Sequence, residues 1–93
     1  MTALRFVLPG TLREFTGGAT EVRVETQAAT VREALAALWR AYPGLRDRIA
    51  DNQGAVRPHV SVFVGEENIR FLAGLDTPIS GETITILPAV SGG

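Results

Sequence analysis

Alternation of apolar and polar residues is the dominant pattern of this chain, and it predicts β-strands. Segments with this pattern occupy residues 4–8, 20–25, 59–64 and 82–87. A shorter apolar stretch, residues 69–72, follows a turn at 65–68 and predicts one more short strand. Because side chains alternate across a strand, Leu4, Phe6 and Leu8 should all face the core.

One segment has helical spacing instead. Apolar residues recur three or four positions apart over residues 31–42, which predicts an amphipathic helix. Thr30 and Glu33 fit a capping box at its start, because the threonine hydroxyl can accept from the Glu33 amide while the glutamate carboxylate turns back. The Pro-Gly pair at 43–44 should end the helix. Residues 45–50 then predict a short helical turn before a polar loop.

The order of these elements is strand, strand, helix, strand, short strand, strand. One main helix covers one sheet, so the economical packing is a mixed sheet of four to five strands folded around it. If the first and last strands pair in the centre, the right-handed crossover rule favours the β-grasp, or ubiquitin-like, arrangement of the α+β class. We expect one domain, residues 1–88, and a flexible tail, residues 89–93, because Pro88 cannot donate to a strand ladder.

Composition narrows the chemistry that the domain can perform. The 93 residues contain no cysteine and one histidine, His59, and all nine basic residues are arginine. Disulfides, thiolate metal sites and cysteine nucleophiles are thereby excluded, and the lone histidine indicates a surface residue rather than a catalytic base. The net charge of -1 gives no attraction for nucleic acid or an anionic membrane. No apolar run is long enough to span a bilayer, so we expect a cytoplasmic protein. Because the chain has so few reactive side chains, we also expect that it is no enzyme by itself and binds no metal or cofactor.

The remaining candidate for chemistry is the α-carboxylate of Gly93, which Gly92 precedes. Two residues without a Cβ let the backbone enter a cleft that a side chain would block. A free carboxylate acylates poorly, but a partner that converts it to an acyl-adenylate gives it AMP as a leaving group, which sulfide or an amine can displace. Val90 and Ser91 would then bridge the domain to the partner's cleft. The alternative is a frayed tail with two accidental glycines.

A partner also needs a docking surface, and strand alternation predicts one. If Val62 and Ile86 face the helix, then Phe63 and Leu87 face outward on the open side of the sheet, near the tail. An exposed aromatic and aliphatic pair is a reasonable partner site. The alternative is that a loop or a neighbouring molecule covers Phe63.

The stretch 59–93, and above all its tail Leu-Pro-Ala-Val-Ser-Gly-Gly directly after a strand, resembles the ubiquitin-like sulfur carriers of the MoaD/ThiS family. The likeness covers the whole chain in layout and length, and within the family it is greatest to the CysO type. It implies that Gly93 is adenylated and converted to a terminal thiocarboxylate. That group would donate sulfur, in a CysO-like system for cysteine biosynthesis.

The resemblance also implies the partners. An adenylating enzyme similar to ubiquitin-activating enzymes, with ATP and Mg²⁺, and a sulfurtransferase would load Gly93, and a sulfur-accepting enzyme would unload it. In a CysO-like system the acceptor is a pyridoxal-phosphate cysteine synthase followed by a metalloprotease, so pyridoxal phosphate and zinc belong to the partners. The alternatives are a MoaD-like small subunit that pairs with the large subunit of molybdopterin synthase, a protein modifier conjugated through Gly93, and a structural subunit with an inert tail.

Overall fold

The computed structural model describes residues 2–88. Within them, five strands form one sheet: β1 (Thr2–Val7), β2 (Glu21–Thr26), β3 (Val60–Val64), β4 (Glu67–Asn68) and β5 (Ile84–Pro88). The helices are α1 (Val31–Ala41) and the single turn α2 (Arg46–Ile49). Short 3₁₀ helices lie at Gly10–Phe15, Pro43–Leu45, Ile69–Phe71 and Gly74–Asp76. The expected α+β class, with one mixed sheet on one main helix, is confirmed.

The first and last strands pair in the centre of the sheet, as the element order predicts. The strand order is β2-β1-β5-β3-β4, and β1 runs parallel to β5 through the pairs Phe6–Ile84 and Val7–Thr85. The other neighbouring strands are antiparallel. A parallel central pair, with α1 in the connection between its strands, is the β-grasp arrangement, so this expectation is confirmed as well.

The core lies between α1 and one face of the sheet. Its largest fully buried residues are Phe6, Leu38, Leu45, Ile49, Ile84, Ile86, Val31 and Val62. Leu4, Phe6 and Leu8 are all buried, as the alternation of the first strand predicts. Because β5 runs between β1 and β3, both neighbours hold the strand from which the chain leaves the sheet.

The start of α1 has the capping geometry that the sequence predicts. The Thr30 hydroxyl accepts a hydrogen bond from the Glu33 amide at 3.3 Å. The Glu33 carboxylate reaches back and accepts one from the Ala29 amide at 2.8 Å. Two backbone amides at the helix start thus gain acceptors, which fixes the residue at which α1 begins.

We expect Thr30→Ala to lower the free energy of unfolding by about 1 kcal/mol, because the Glu33 amide loses its acceptor. Chemical denaturation followed by circular dichroism measures the difference. Thr20→Ala is the matched control, since Thr20 is exposed and lies outside the helix; it should stay within about 0.5 kcal/mol of the wild type. Equal losses in the two variants would contradict the capping role.

The prediction of a short strand at residues 69–72 is wrong. β4 lies inside the segment predicted as a turn, and a 3₁₀ helix occupies Ile69–Phe71. Gly65 has a φ angle of 60°, which allows a two-residue turn, so that β4 pairs directly with the end of β3. The Asn68 side chain then accepts a hydrogen bond from the Arg70 amide at 2.9 Å. This local side-chain bond favours a helical turn over a continued strand.

The other strand boundaries differ from the prediction by no more than about two residues, which is the usual uncertainty of element ends. The 3₁₀ helix Gly10–Phe15 is a larger difference, since the sequence predicts only a long connection there. Leu12 and Phe15 of this helix pack against the core. Pro88 is the last residue that the structure describes. The predicted flexible tail, residues 89–93, therefore lies outside the described residues.

Candidate functional site

The chain leaves the sheet at the end of β5, and the residues around this end form the candidate site. The last residue of β5, Pro88, lies opposite Val60 of β3. Four predicted site residues lie beyond Pro88 and outside the described residues: Val90, Ser91, Gly92 and Gly93. Their roles stay predictions, and the structure defines the part of the site that precedes them.

The open face of the sheet, opposite α1, presents a row of side chains across all five strands. The strand registers place in this row Glu21, Val7, Thr85, Phe63 and Asn68. Phe63 is half-buried and is absent from the apolar residues that pack against the core. The alternation therefore holds at this position, and Phe63 faces away from α1. Its role in docking stays a prediction.

Leu87 lies at the end of this face from which the tail continues. It pairs with Ser61 of β3 and is 40% exposed. Among the described residues, the exposed large hydrophobic residues are Leu87, Leu72 and Phe71. Leu87 thus adds apolar surface at the point where a partner that holds the tail would also contact the domain.

β1 and β2 add charge to the same face. The Arg5 Nε atom lies 2.6 Å from Glu21 Oε2, and Arg5 Nη2 donates to Glu21 Oε1 at 2.9 Å. This is a two-point contact between a guanidinium and a carboxylate. The hydrogen bond lowers the pKa of Glu21 and raises that of Arg5, so both groups are charged at neutral pH. The open face therefore has a charged side on β1 and β2, whereas β3 and β5 present the apolar side chains of Phe63 and Leu87 beside hydroxyl side chains.

A groove of about 270 Å³ lies beside the end of β5. The 3₁₀ helix Gly10–Phe15 contributes Leu12 and Phe15 to its lining, and Arg48 and His59 contribute polar groups. The Arg48 guanidinium carbon lies 5.1 Å from the centre of the Phe15 ring, within the range of a cation–π interaction. The groove thus extends the apolar surface of Leu87 around the end of the strand, and its lining carries both the Arg48 guanidinium and the Glu14 carboxylate.

Sequence reasoning does not predict this groove. His59 is exposed, as the sequence predicts, and Arg48 is exposed as well. Nothing in the spacing of residues indicates that Arg48 meets Phe15, which is distant in sequence. The 3₁₀ helix that carries Phe15 is too short to give a periodic pattern, so the signal for this part of the site is absent from the sequence.

Within residues 2–88, no three acidic, histidine or cysteine side chains converge in a way that could hold a metal ion. In the same range, no helix combines the length and apolar composition needed to cross a bilayer. The features present at the end of β5 are the apolar surface of Leu87 and the groove with Arg48.

The sequence is similar over most of its length to one protein family and to individual proteins of known type. The sequence model of the ThiS family matches residues 6–93. Sulfur carrier protein CysO of Mycobacterium tuberculosis is 36% identical over 89 residues, which are 92% of this chain and 94% of that protein. Small archaeal modifier protein 1 of Haloferax volcanii is 35% identical over 77 residues, 82% of this chain and 85% of that protein.

Solved structures agree with the sequence comparison. A chain in the crystal structure of the BexX/CysO complex of Amycolatopsis orientalis has a TM-score of 0.84 and 34% identity, with 98% of this chain and 100% of that chain covered. Crystalline CysO of Mycobacterium tuberculosis has a TM-score of 0.83 and 33% identity, with 94% and 99% covered. Since the family match spans nearly the whole chain, and both identity and fold agree with it, the protein belongs to the ThiS family of β-grasp sulfur carriers.

Proposed function

We propose that this ThiS-family protein carries sulfur as a thiocarboxylate on Gly93. The observation that carries the proposal is the family match, which runs through residue 93 and therefore includes the Gly92-Gly93 pair. The similarity to CysO sulfur carriers over most of the chain supports it. Leu87 and the groove beside it form an exposed apolar surface at the end of β5. This surface supports the proposal because a partner that holds the tail must also contact the domain.

The proposed chemistry has two steps on the Gly93 carboxylate. In the first, a carboxylate oxygen attacks the α-phosphorus of ATP, pyrophosphate leaves, and an acyl-adenylate forms. In the second, hydrosulfide attacks the acyl carbon, the bond to AMP breaks with the electron pair on AMP, and loss of a proton leaves the thiocarboxylate. The chain supplies only the reacting carboxylate, so it serves as a co-substrate of the adenylating enzyme and of the enzyme that accepts the sulfur.

The two glycines provide access to the partner's ATP site. Residues 89–93 can reach at most about 17 Å from the end of β5, even when fully extended. A partner must therefore bring its reaction centre close to the domain and bind the domain as well. Without a Cβ on Gly92 or Gly93, the last part of this reach fits a narrow cleft.

We assign docking to the open face around Phe63 and Leu87, with Val90 and Ser91 contacting the mouth of the partner's cleft. Phe63 faces away from the core, and Leu87 is exposed beside the start of the tail. The Arg5–Glu21 pair on the same face supplies charges that orient the partner. The assignment gives the domain and the tail one continuous binding surface.

The acceptor that we propose is a cysteine synthase, as in a CysO-like route of cysteine biosynthesis. The support is the 36% identity to CysO over 89 residues. A second candidate function is conjugation to other proteins through Gly93, which the similarity to small archaeal modifier protein 1 favours. Both functions begin with the same acyl-adenylate and differ in whether sulfur or a protein amine displaces AMP.

The intact mass of the protein isolated from its own host, under non-reducing and mildly alkaline conditions, tests the proposal. We expect a species that is heavier by the exchange of one oxygen for one sulfur, and fragmentation should localise the exchange to the C-terminal peptide. If the isolated protein is the free acid, incubation with ATP, sulfide and the host's adenylating enzyme should produce the same species. Failure of both would contradict sulfur carriage, and isopeptide-linked ladders in host extract would support the modifier function instead.

A further inference from the structure

Among the large hydrophobic residues that the structure describes, Phe71 has the highest exposed fraction, and nothing described so far explains it. The residue is 80% exposed, and the next residue, Leu72, is 43% exposed. Large adjacent apolar side chains in contact with water are unfavourable for an isolated domain and often mark a binding surface. The surface assigned to tail docking around Phe63 and Leu87 does not include them, so they require a separate explanation.

Leu72 lines a groove at the start of β5, at the opposite end of the strand from the tail. The groove has a volume of about 490 Å³, and Val64 and Pro78 add apolar surface to it. Val64 pairs with Ile84, the first residue of β5, whereas the tail follows the last one. The length of β5 separates the two ends by about 13 Å. This groove is therefore a second surface, distinct from the one at Leu87.

Among the residues that the structure describes, those lining the same groove include three carboxylates and no basic side chain. The carboxylates belong to Glu66, Glu67 and Glu82. The hydrogen bond that the Ser80 amide donates to Glu82 at 2.6 Å lowers the pKa of that carboxyl and holds it in place. Arg70 lines the neighbouring groove instead. Negative charge is thus concentrated here, in a chain whose formal net charge is only -1.

The backbone that carries the exposed pair is held on both sides. The Asn68 side chain caps the 3₁₀ helix that contains Phe71. Beyond Leu72, the hydroxyl of the buried residue Thr77 accepts a hydrogen bond from the Ala73 amide at 3.1 Å. An apolar pair on an ordered backbone loses less conformational entropy on binding than the same pair on a flexible loop.

We propose that Phe71, Leu72 and the adjoining groove bind a protein segment that presents an aliphatic side chain between basic residues. The aliphatic side chain contacts Phe71 and Leu72, and the basic groups pair with the carboxylates of the groove, which orients the segment. The carboxylates repel nucleic acid and acidic partners. The inference does not depend on the sulfur chemistry of Gly93. A segment bound here leaves Leu87 free, so the domain can contact one partner at each end of β5.

The test is a titration of the ¹⁵N-labelled full chain, followed by amide chemical shifts. The probe is an acetylated and amidated peptide of alternating arginine and leucine, and its control is the same peptide with glutamate in place of arginine. We expect saturable shifts at residues 64–67, 71–73 and 82 with the arginine peptide only. Phe71→Ser should raise the Kd about tenfold or more, as loss of a central apolar contact does.

Two further variants separate the apolar and electrostatic contributions. Leu72→Ser should also raise the Kd, and the triple replacement Glu66→Gln, Glu67→Gln, Glu82→Gln should remove the preference for the arginine peptide. Leu87→Ser makes the same change at the other end of β5, at a residue that is 40% exposed, and should leave the Kd unaltered. Shifts spread over the open face, an equal effect of Leu87→Ser, or no saturable binding would overturn the proposal. Shifts at these amides that depend on protein concentration without peptide would overturn it in favour of a second copy of the chain.

Discussion

Deletion of Gly93 is expected to abolish sulfur loading while the domain stays fully folded. The deletion withdraws the terminal carboxylate by one residue, about 3.3–3.6 Å along an extended chain. A displacement of about 1 Å at a reacting centre can cost about a hundredfold in rate, so loading should fall by more than that factor. Intact mass after timed incubation with ATP, sulfide and the adenylating enzyme measures the remaining thiocarboxylate.

Three controls make the deletion interpretable. The midpoint of thermal unfolding should not change, because the buried core of the described residues extends from Leu4 to Ile86 and does not include Gly93. Gly93→Ala keeps the length but adds a Cβ, so it should load faster than the deletion and more slowly than the wild type. Phe63→Ser keeps the tail and weakens docking, so it should slow loading without changing its final extent. Loading of the deletion variant at the wild-type rate would show that Gly93 is not the attachment point.

Phe6→Ala is expected to lower the free energy of unfolding by about 3–5 kcal/mol. Phe6 has 0% exposure and pairs with Val22 on one side and Ile84 on the other. Because both neighbouring strands fix the backbone around it, the cavity left by the truncation cannot collapse without disturbing the centre of the sheet. Domains of this kind have a total stability of about 5–15 kcal/mol, so the loss is a large fraction of it. Urea denaturation measures the difference.

Phe71→Ala is the matched control for this prediction. It removes the same atoms from a residue that is 80% exposed, so the free energy of unfolding should change by no more than about 0.5 kcal/mol. A loss as large as that of Phe6→Ala would mean that Phe71 is packed in solution, which would also remove the basis for a binding surface at Phe71 and Leu72.

Local patterns in the sequence were sufficient to predict most of the fold. Strand alternation identified the buried side chains of β1, including Phe6, because side-chain direction in a strand depends only on the parity of the position. The Thr30 and Glu33 pair identified the start of α1, because both partners of the cap lie within one helical turn. The central pairing of β1 and β5 followed from element order and crossover handedness. These features require only local geometry and general rules of topology.

The part of the candidate site on the open face was predictable for the same reason. Alternation along β3 and β5 placed Phe63 and Leu87 away from α1, and the structure agrees. The charged side of this face was not predictable, because the contact of Arg5 with Glu21 depends on the register of β1 against β2. A register is set by the turn and by the core together, and neither is visible in the spacing of the two residues.

The sequence by itself determined the strands, the main helix with its cap, the β-grasp topology and the resemblance that directs attention to Gly93. Only the tertiary structure decided the conformation and the contacts of the short segments between these elements. It shows that Ile69–Phe71 form a 3₁₀ helix with Phe71 exposed, and that Phe15 meets Arg48 beside the end of β5. Short segments have no period to detect, and the contacts that fix them join residues distant in sequence, so their placement depends on packing rather than on local preference.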